Sequence, residues 1–195
     1  MAQPIKLNFK IYQGATFREV LRWESSTKVY KAISGMTKAA PLVISAVGHG
    51  VPVGWRFKTT NIVGMTEMNS SDTYYVATDV TTDTITVNAI NALGYKDYVS
   101  GGVVEYNAPV DLAGFTARMQ IRGKLTDAEY ILELTTENGG IIIDNTAKTI
   151  SVVITAAQTA LLSFASAVYS MELVNGTEVT PFLTGGLSLE KEVTR

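Results

Sequence analysis

The chain has 195 residues, with 16 basic and 18 acidic side chains for a net charge of −2, and no cysteine. That length gives room for one large or two small domains with a real core. Nothing in the mild charge balance asks for nucleic acid, since phosphate binding needs clustered Lys and Arg and the densest group, Arg118 to Lys124, has only three charges; the absent cysteines exclude disulfides and thiolate chemistry.

From the N-terminus, Ile5, Leu7, Phe9 and Ile11 alternate with polar partners, which predicts a period-two strand over Pro4 to Tyr12 with one face buried. No apolar signal core precedes it, so synthesis in the cytoplasm is expected. Gln13 and Gly14 make a turn into a second strand, Thr16 to Glu24, with Trp23 as a core anchor beyond its imperfect alternation. Between Ser25 and Pro41 the pattern weakens, as where a chain leaves one domain for another.

From Ala40 to Pro109 short Val-, Ile-, Tyr- and Thr-rich runs alternate with tight-turn residues. Gly48, Gly50 and Pro52 fence the first run, and Asn69 to Asp72 separate the next two. Gly101 and Gly102 precede the last. A unit of this size without disulfides must close on itself, so a small β-barrel is expected.

Beyond it, Phe115, Ala117, Met119 and Ile121 point one way and Thr116, Arg118, Gln120 and Arg122 the other. Tyr130, Leu132 and Leu134 supply another strand, and Asn138-Gly139-Gly140 turns into Ile141 to Asp144. Lys148 to Thr155 buries Ile150, Val152 and Ile154, and Thr155-Ala156-Ala157-Gln158 fits a capping box opening a short helix, with Leu161 and Phe164 sharing a face. Val168 to Val174 and Glu178 to Leu183 make a hairpin around Asn175-Gly176. Gly185-Gly186 then breaks this from a last strand, Leu187 to Val193.

The expected fold is thus all-β: an antiparallel β-sandwich with a small β-barrel inserted in a loop, and one short helix. The sandwich takes residues 1–35 and 109–195, the insert residues 36–108, and the insert's ends should lie close together.

Chemistry finds little to stand on. His49 is the lone histidine, set between glycines, and no second His or any Cys completes a metal site with it. A triad could be drawn from His49 with Ser70 or Ser71 and Asp72, but no nucleophile-elbow glycines flank those serines. Gly48, Gly50 and Gly54 lack the helix and lysine of a phosphate loop. Asp79 with Asp83, or Glu67 with Asp72, could pair for glycoside hydrolysis, although surface turns use acids far more often. No catalytic, cofactor or metal residue is assigned. The insert's aromatics, Trp55, Phe57, Tyr74, Tyr75, Tyr95 and Tyr98, are mainly core by their burial habit. Trp55, Tyr95 and Tyr98 are nevertheless candidates for an interaction platform, and Ile5, Leu7 and Phe9 for pairing with a neighbour's sheet edge.

Two resemblances sharpen this. Gly48-His49-Gly50, then Ile62-Val63-Gly64-Met65-Thr66-Glu67-Met68-Asn69, then Tyr74-Tyr75-Val76, then Tyr95-x-x-Tyr98-x-Ser100-Gly101-Gly102 resembles the first catalytic cysteine half-domain of ubiquitin-activating enzymes as it recurs in phage virion proteins. It implies a small barrel borrowed as a module, without the cysteine chemistry. The flanks, GATFREVLRW, PVDLAGFTARMQIR, ILELTTENGGIIID, ISVVITAAQTALL, VYSMELVNG and GGLSLEKEVTR, are similar to small tail-associated proteins of tailed phages. Members are immunoglobulin-like sandwiches, including collar or baseplate proteins that ring the tail. The resemblance implies a non-enzymatic virion protein of the tail, partnered by copies of itself in a ring and by neighbouring tail proteins; the charge balance and the lack of a long apolar run add the expectation of no nucleic acid and no membrane, and no cofactor is expected. A capsid decoration or head–tail junction protein, and a receptor- or glycan-binding module, are the alternatives.

Overall fold

The computed structural model describes residues 3–192. These form two compact units, one from the chain up to Arg22 together with the part from Asp111 onward, the other Trp23–Val110. The first unit opens with β1 (Ile5–Lys6), β2 (Phe9–Tyr12) and β3 (Phe17–Leu21).

The inserted unit begins at once with β4 (Glu24–Ala32), where the sequence showed only a weakened pattern. It pairs antiparallel with β11 (Ser100–Pro109), which moves the boundary from residue 36 back to Trp23. Strand β4 escapes sequence reading because it is an edge strand, and edge strands carry polar residues on both faces. Between them lie β5 (Gly35–Met36), β6 (Leu42–Ser45), β7 (Arg56–Val63), a 3₁₀ turn at Thr66–Met68, β8 (Tyr75–Val76), β9 (Asp79–Val80) and β10 (Thr84–Val87).

The ladders make two four-stranded sheets, β4-β11-β7-β8 and β5-β6-β10-β9, and not the closed barrel expected. At two corners the chain changes partner within a residue, and this interrupts the pairing. The Ile33 N–H bonds to Gly102 O at 3.0 Å while that of Ser34 bonds to Ser45 O at 2.8 Å. Likewise the Ala77 N–H bonds to Trp55 O and that of Thr78 to Thr86 O. Trp55, Phe57, Leu42, Ile44, Met65, Met68, Ile85 and Val104 fill the space enclosed. The unit's two ends are joined by the Val110 N–H on Trp23 O at 3.0 Å.

The first unit resumes with β12 (Thr116–Arg122), β13 (Leu132–Thr135), β14 (Ile141–Asp144), β15 (Thr149–Ile154), α1 (Ala156–Leu161), β16 (Ser166–Asn175) and β17 (Glu178–Glu190). One sheet runs β1-β17-β16-β12-β13 with β2 also on β17, and the other runs β14-β15-β3. Together they are an all-β sandwich. The period-two faces land as expected, with Ala117, Met119, Ile121, Ile150, Val152 and Ile154 buried. Phe9 bridges the sheets, its ring 5.3 Å from Phe17 and stacked 5.1 Å from Tyr169.

Three expectations are corrected in this unit. Pairing is not antiparallel throughout, since β1 and β2 both run parallel to β17. Gly185-Gly186 does not end a strand, because β17 continues through it; Val193, the expected end of the last strand, lies outside the described residues. A Cβ on Gly185 would meet Leu7 O at 1.8 Å, so glycine there lets the N-terminal strand press onto the sheet, and Tyr169 covers the gap. Helix α1 has its capping box, but Leu161 points outward, and Leu162, not Leu161, is buried.

Candidate interaction surfaces

The residues offered for catalysis are occupied by the backbone around them. His49 is 1% exposed. Its Nδ1 accepts the Val51 N–H at 2.9 Å, which leaves Nε2 to carry the proton and donate to Thr81 O (3.0 Å) and Thr84 O (3.1 Å). Its own carbonyl accepts the Tyr106 hydroxyl at 2.6 Å, and burial raises the pKa of that phenol above its usual value. The imidazole therefore ties its own loop to the turn between β9 and β10.

Ser70 Oγ donates to Thr73 O, Ser71 Oγ donates to Asp72, and neither hydroxyl bonds to His49. Asp83 accepts the Gly48 N–H and Asp79 the N–H of Val80, as acids do in turns. Glu67 accepts the Lys96 N–H. Among the described residues no His, Cys, Asp and Glu side chains gather to hold a metal ion, and no helix is long and apolar enough to cross a membrane.

The expected platform is largely core. Trp55 is 0% exposed and its indole N–H donates to Asn107 O at 2.8 Å, so it stands inside the insert and not on its surface. Tyr95 and Tyr98 are half-buried against the same core, and the Tyr98 hydroxyl donates to Ile33 O and Gly101 O. Of the three N-terminal candidates, Ile5 alone is exposed, at 64%. Phe9 is buried, and Leu7 is half-buried with its N–H on Thr184 O and its carbonyl under the Tyr169 hydroxyl at 2.7 Å. Burial, with the Glu19 charge second, raises the Tyr169 phenol's pKa well above normal.

Two surfaces emerge that sequence reasoning did not assemble. On the outer face of β4-β11-β7-β8, Tyr30, Glu105 and Lys58 stand in one cross-strand row. The Arg56 and Lys58 cations lie 4.8 and 4.7 Å from the centre of the exposed Tyr74 ring. Arg56 also grips Glu24 with two bonds of 2.7 Å. Burial pushes the Glu24 carboxyl up, but the bonds from Arg56 and Asn107 and the Arg56 charge outweigh it and hold it below the usual carboxylate value.

The second surface is one end of the sandwich. Registers Arg122–Val168, Ser166–Ser188, Tyr12–Glu190 and Phe17–Ile154 bring the ends of β12, β2 and β15 and the start of β16 to the same place. Leu125 (87% exposed) and Leu161 (84% exposed) stand there with exposed Tyr12, Tyr130 and Ile131. The Leu125 loop is fastened: Arg122 donates to Asp127 O and Ala128 O, and Asp127 Oδ2 accepts the Lys124 N–H at 2.8 Å. A groove of about 550 Å³ runs beside it, lined by Lys6, Arg122, Leu125, Val168 and Thr184 among others. At the other end of the sandwich Leu21 pairs with Ile150 and the Leu112 N–H bonds to Asn145.

In comparisons with known proteins, no family model matches the chain and no curated protein matches its sequence.

Proposed function

We propose that this chain is a non-enzymatic structural protein of a tailed-phage virion, a collar or baseplate component whose immunoglobulin-like sandwich closes into a ring of identical copies around the tail. The observation carrying this reading is the apolar end of the sandwich. Large aliphatic and aromatic side chains are held out on a fastened loop and on α1, and exposed apolar groupings of this kind characterise protein contacts. Identical copies in head-to-tail contact form a ring when the rotation closes. The polar groups weighed for catalysis are instead spent on turns and loop ties, which supports a binding role over turnover.

A receptor- or glycan-binding role for the insert is the second reading. Exposed Tyr30 and Tyr74 beside Arg56 and Lys58 favour it.

Immunogold electron microscopy of phage particles, with antibody against this chain, tests the proposal. Label at the neck or tail end is the expected result. Label over the head would move the protein to capsid decoration, and unlabelled particles would overturn the virion reading.

A further inference from the structure

The chain carries two Asn-Gly pairs, Asn138-Gly139 and Asn175-Gly176, and the fold holds them differently. Asn138 is locked. Its Oδ1 accepts the N–H groups of Thr135 and Gly140, each at 2.9 Å, and its Nδ2 donates to Glu133 O at 3.0 Å. The following amide, Gly139 N–H, is directed at Thr136 O.

Asn175 ends β16 at an exposed hairpin tip, and the loop's two residues are Gly176 and Thr177. Gly176 has φ +60° while Thr177 does not take a positive φ, the pattern of a turn with glycine first. Among the described residues neither the Asn175 carboxamide nor the Gly176 N–H makes a hydrogen bond, and the space around Gly176 is open.

We propose that Asn175 is a site of spontaneous deamidation in the folded protein, and that Asn138 is protected from the same reaction. The Gly176 nitrogen attacks Asn175 Cγ, the Cγ–Nδ2 bond breaks, and ammonia leaves with the proton taken from the Gly176 N–H. Water then opens the resulting five-membered imide at either carbonyl, giving aspartate or isoaspartate. The new carboxylate sits across the strand pair from Glu178, where like charges repel. Isoaspartate also lengthens the backbone by a methylene at the entrance of the turn.

The two sites differ in what must first be broken. Attack at Asn138 requires releasing three side-chain bonds, each worth on the order of fivefold to tenfold in population. Attack at Asn175 requires only a local change at the turn.

The test is incubation of the intact protein in oxygen-18 water at mildly alkaline pH, followed by peptide mapping, with a parallel sample in denaturant. In the folded protein the peptide spanning Asn175 should take up label roughly tenfold or more faster than that spanning Asn138, as mixed aspartate and isoaspartate. N175Q should remove that signal, and in denaturant the two sites should converge. Equal uptake in the folded state, faster uptake at Asn138, or no uptake at Asn175 while the denatured chain reacts would each overturn the proposal.

Discussion

The two units are both built of short strands, yet they hold together by different means. The sandwich relies on regular ladders with aliphatic faces: Ile150, Val152 and Ile154 on β15 of one sheet and Ala117, Met119 and Ile121 on β12 of the other are all buried, and buried polar side chains are scarce. The insert has shorter strands and relies on its loops. His49 joins its own loop to the turn between β9 and β10, the Thr59 hydroxyl reaches Met68 O, Asn69 bonds both backbone groups of Ile62, and the Trp55 indole reaches Asn107. Regular ladders build a sheet from a repeating pattern, whereas two sheets joined at corners need individual side chains to satisfy the backbone where pairing changes.

The largest break in that comparison should come from Trp55→Ala, which empties the centre of the insert and removes a donor from Asn107 O. It should cost about 3–5 kcal/mol, read as a lowered urea midpoint for insert amides in hydrogen exchange. Amides of β12 and β16 should keep their protection; an equal loss there would mean that the units unfold as one.

Thr155→Ala probes the sandwich at a point where it does use a side-chain tie, the capping box with Gln158. A loss of about 1 kcal/mol is expected, with exchange raised chiefly in α1. Loss spread over β15 would show the cap to matter beyond its own turn.

The smallest effect belongs to Arg56→Ala on the insert's outer face, where an exposed cation leaves a half-buried acid. The expected cost is about 0.2–1 kcal/mol, and its pH dependence sharpens the test. Because the Glu24 carboxyl is lowered in the fold, its contribution is present above the ordinary carboxylate value of about 4.3 and is lost as pH falls through the lowered one. The variant should therefore be weaker at neutral pH and depend less on acid over that window, as followed by thermal unfolding across a pH series.

The same contrast explains what could be read from the sequence. Strands β12 and β15 announced themselves because each buries one face, and one buried face imposes a period of two. Strand β4 did not, because along Glu24–Ala32 only Val29 packs against the insert core. Aromatic exposure was illegible for a related reason. Tyr74 and Tyr75 are neighbours in sequence, yet one is exposed and the other half-buried, and β8 is too short to set a parity of its own. Trp55 offered no local sign that it would point inward. Gly185-Gly186 read as a break because its cause, the Leu7 carbonyl pressed against it, lies at the far end of the chain. The apolar end of the sandwich was hidden too, since Tyr12, Leu125 and Leu161 are brought together only by strand register.

The bond from Val110 to Trp23 has a consequence for how such a chain comes to exist. Joining the ends of a flexible segment costs entropy that grows with the logarithm of its length. A folded insert whose first and last residues are already adjacent presents its host with a closure no harder than that of a tight turn. The sandwich can then gain, lose or exchange the whole of Trp23–Val110 as it would a short loop, while an insert that unfolds imposes the full entropy of its length on the strands at either side.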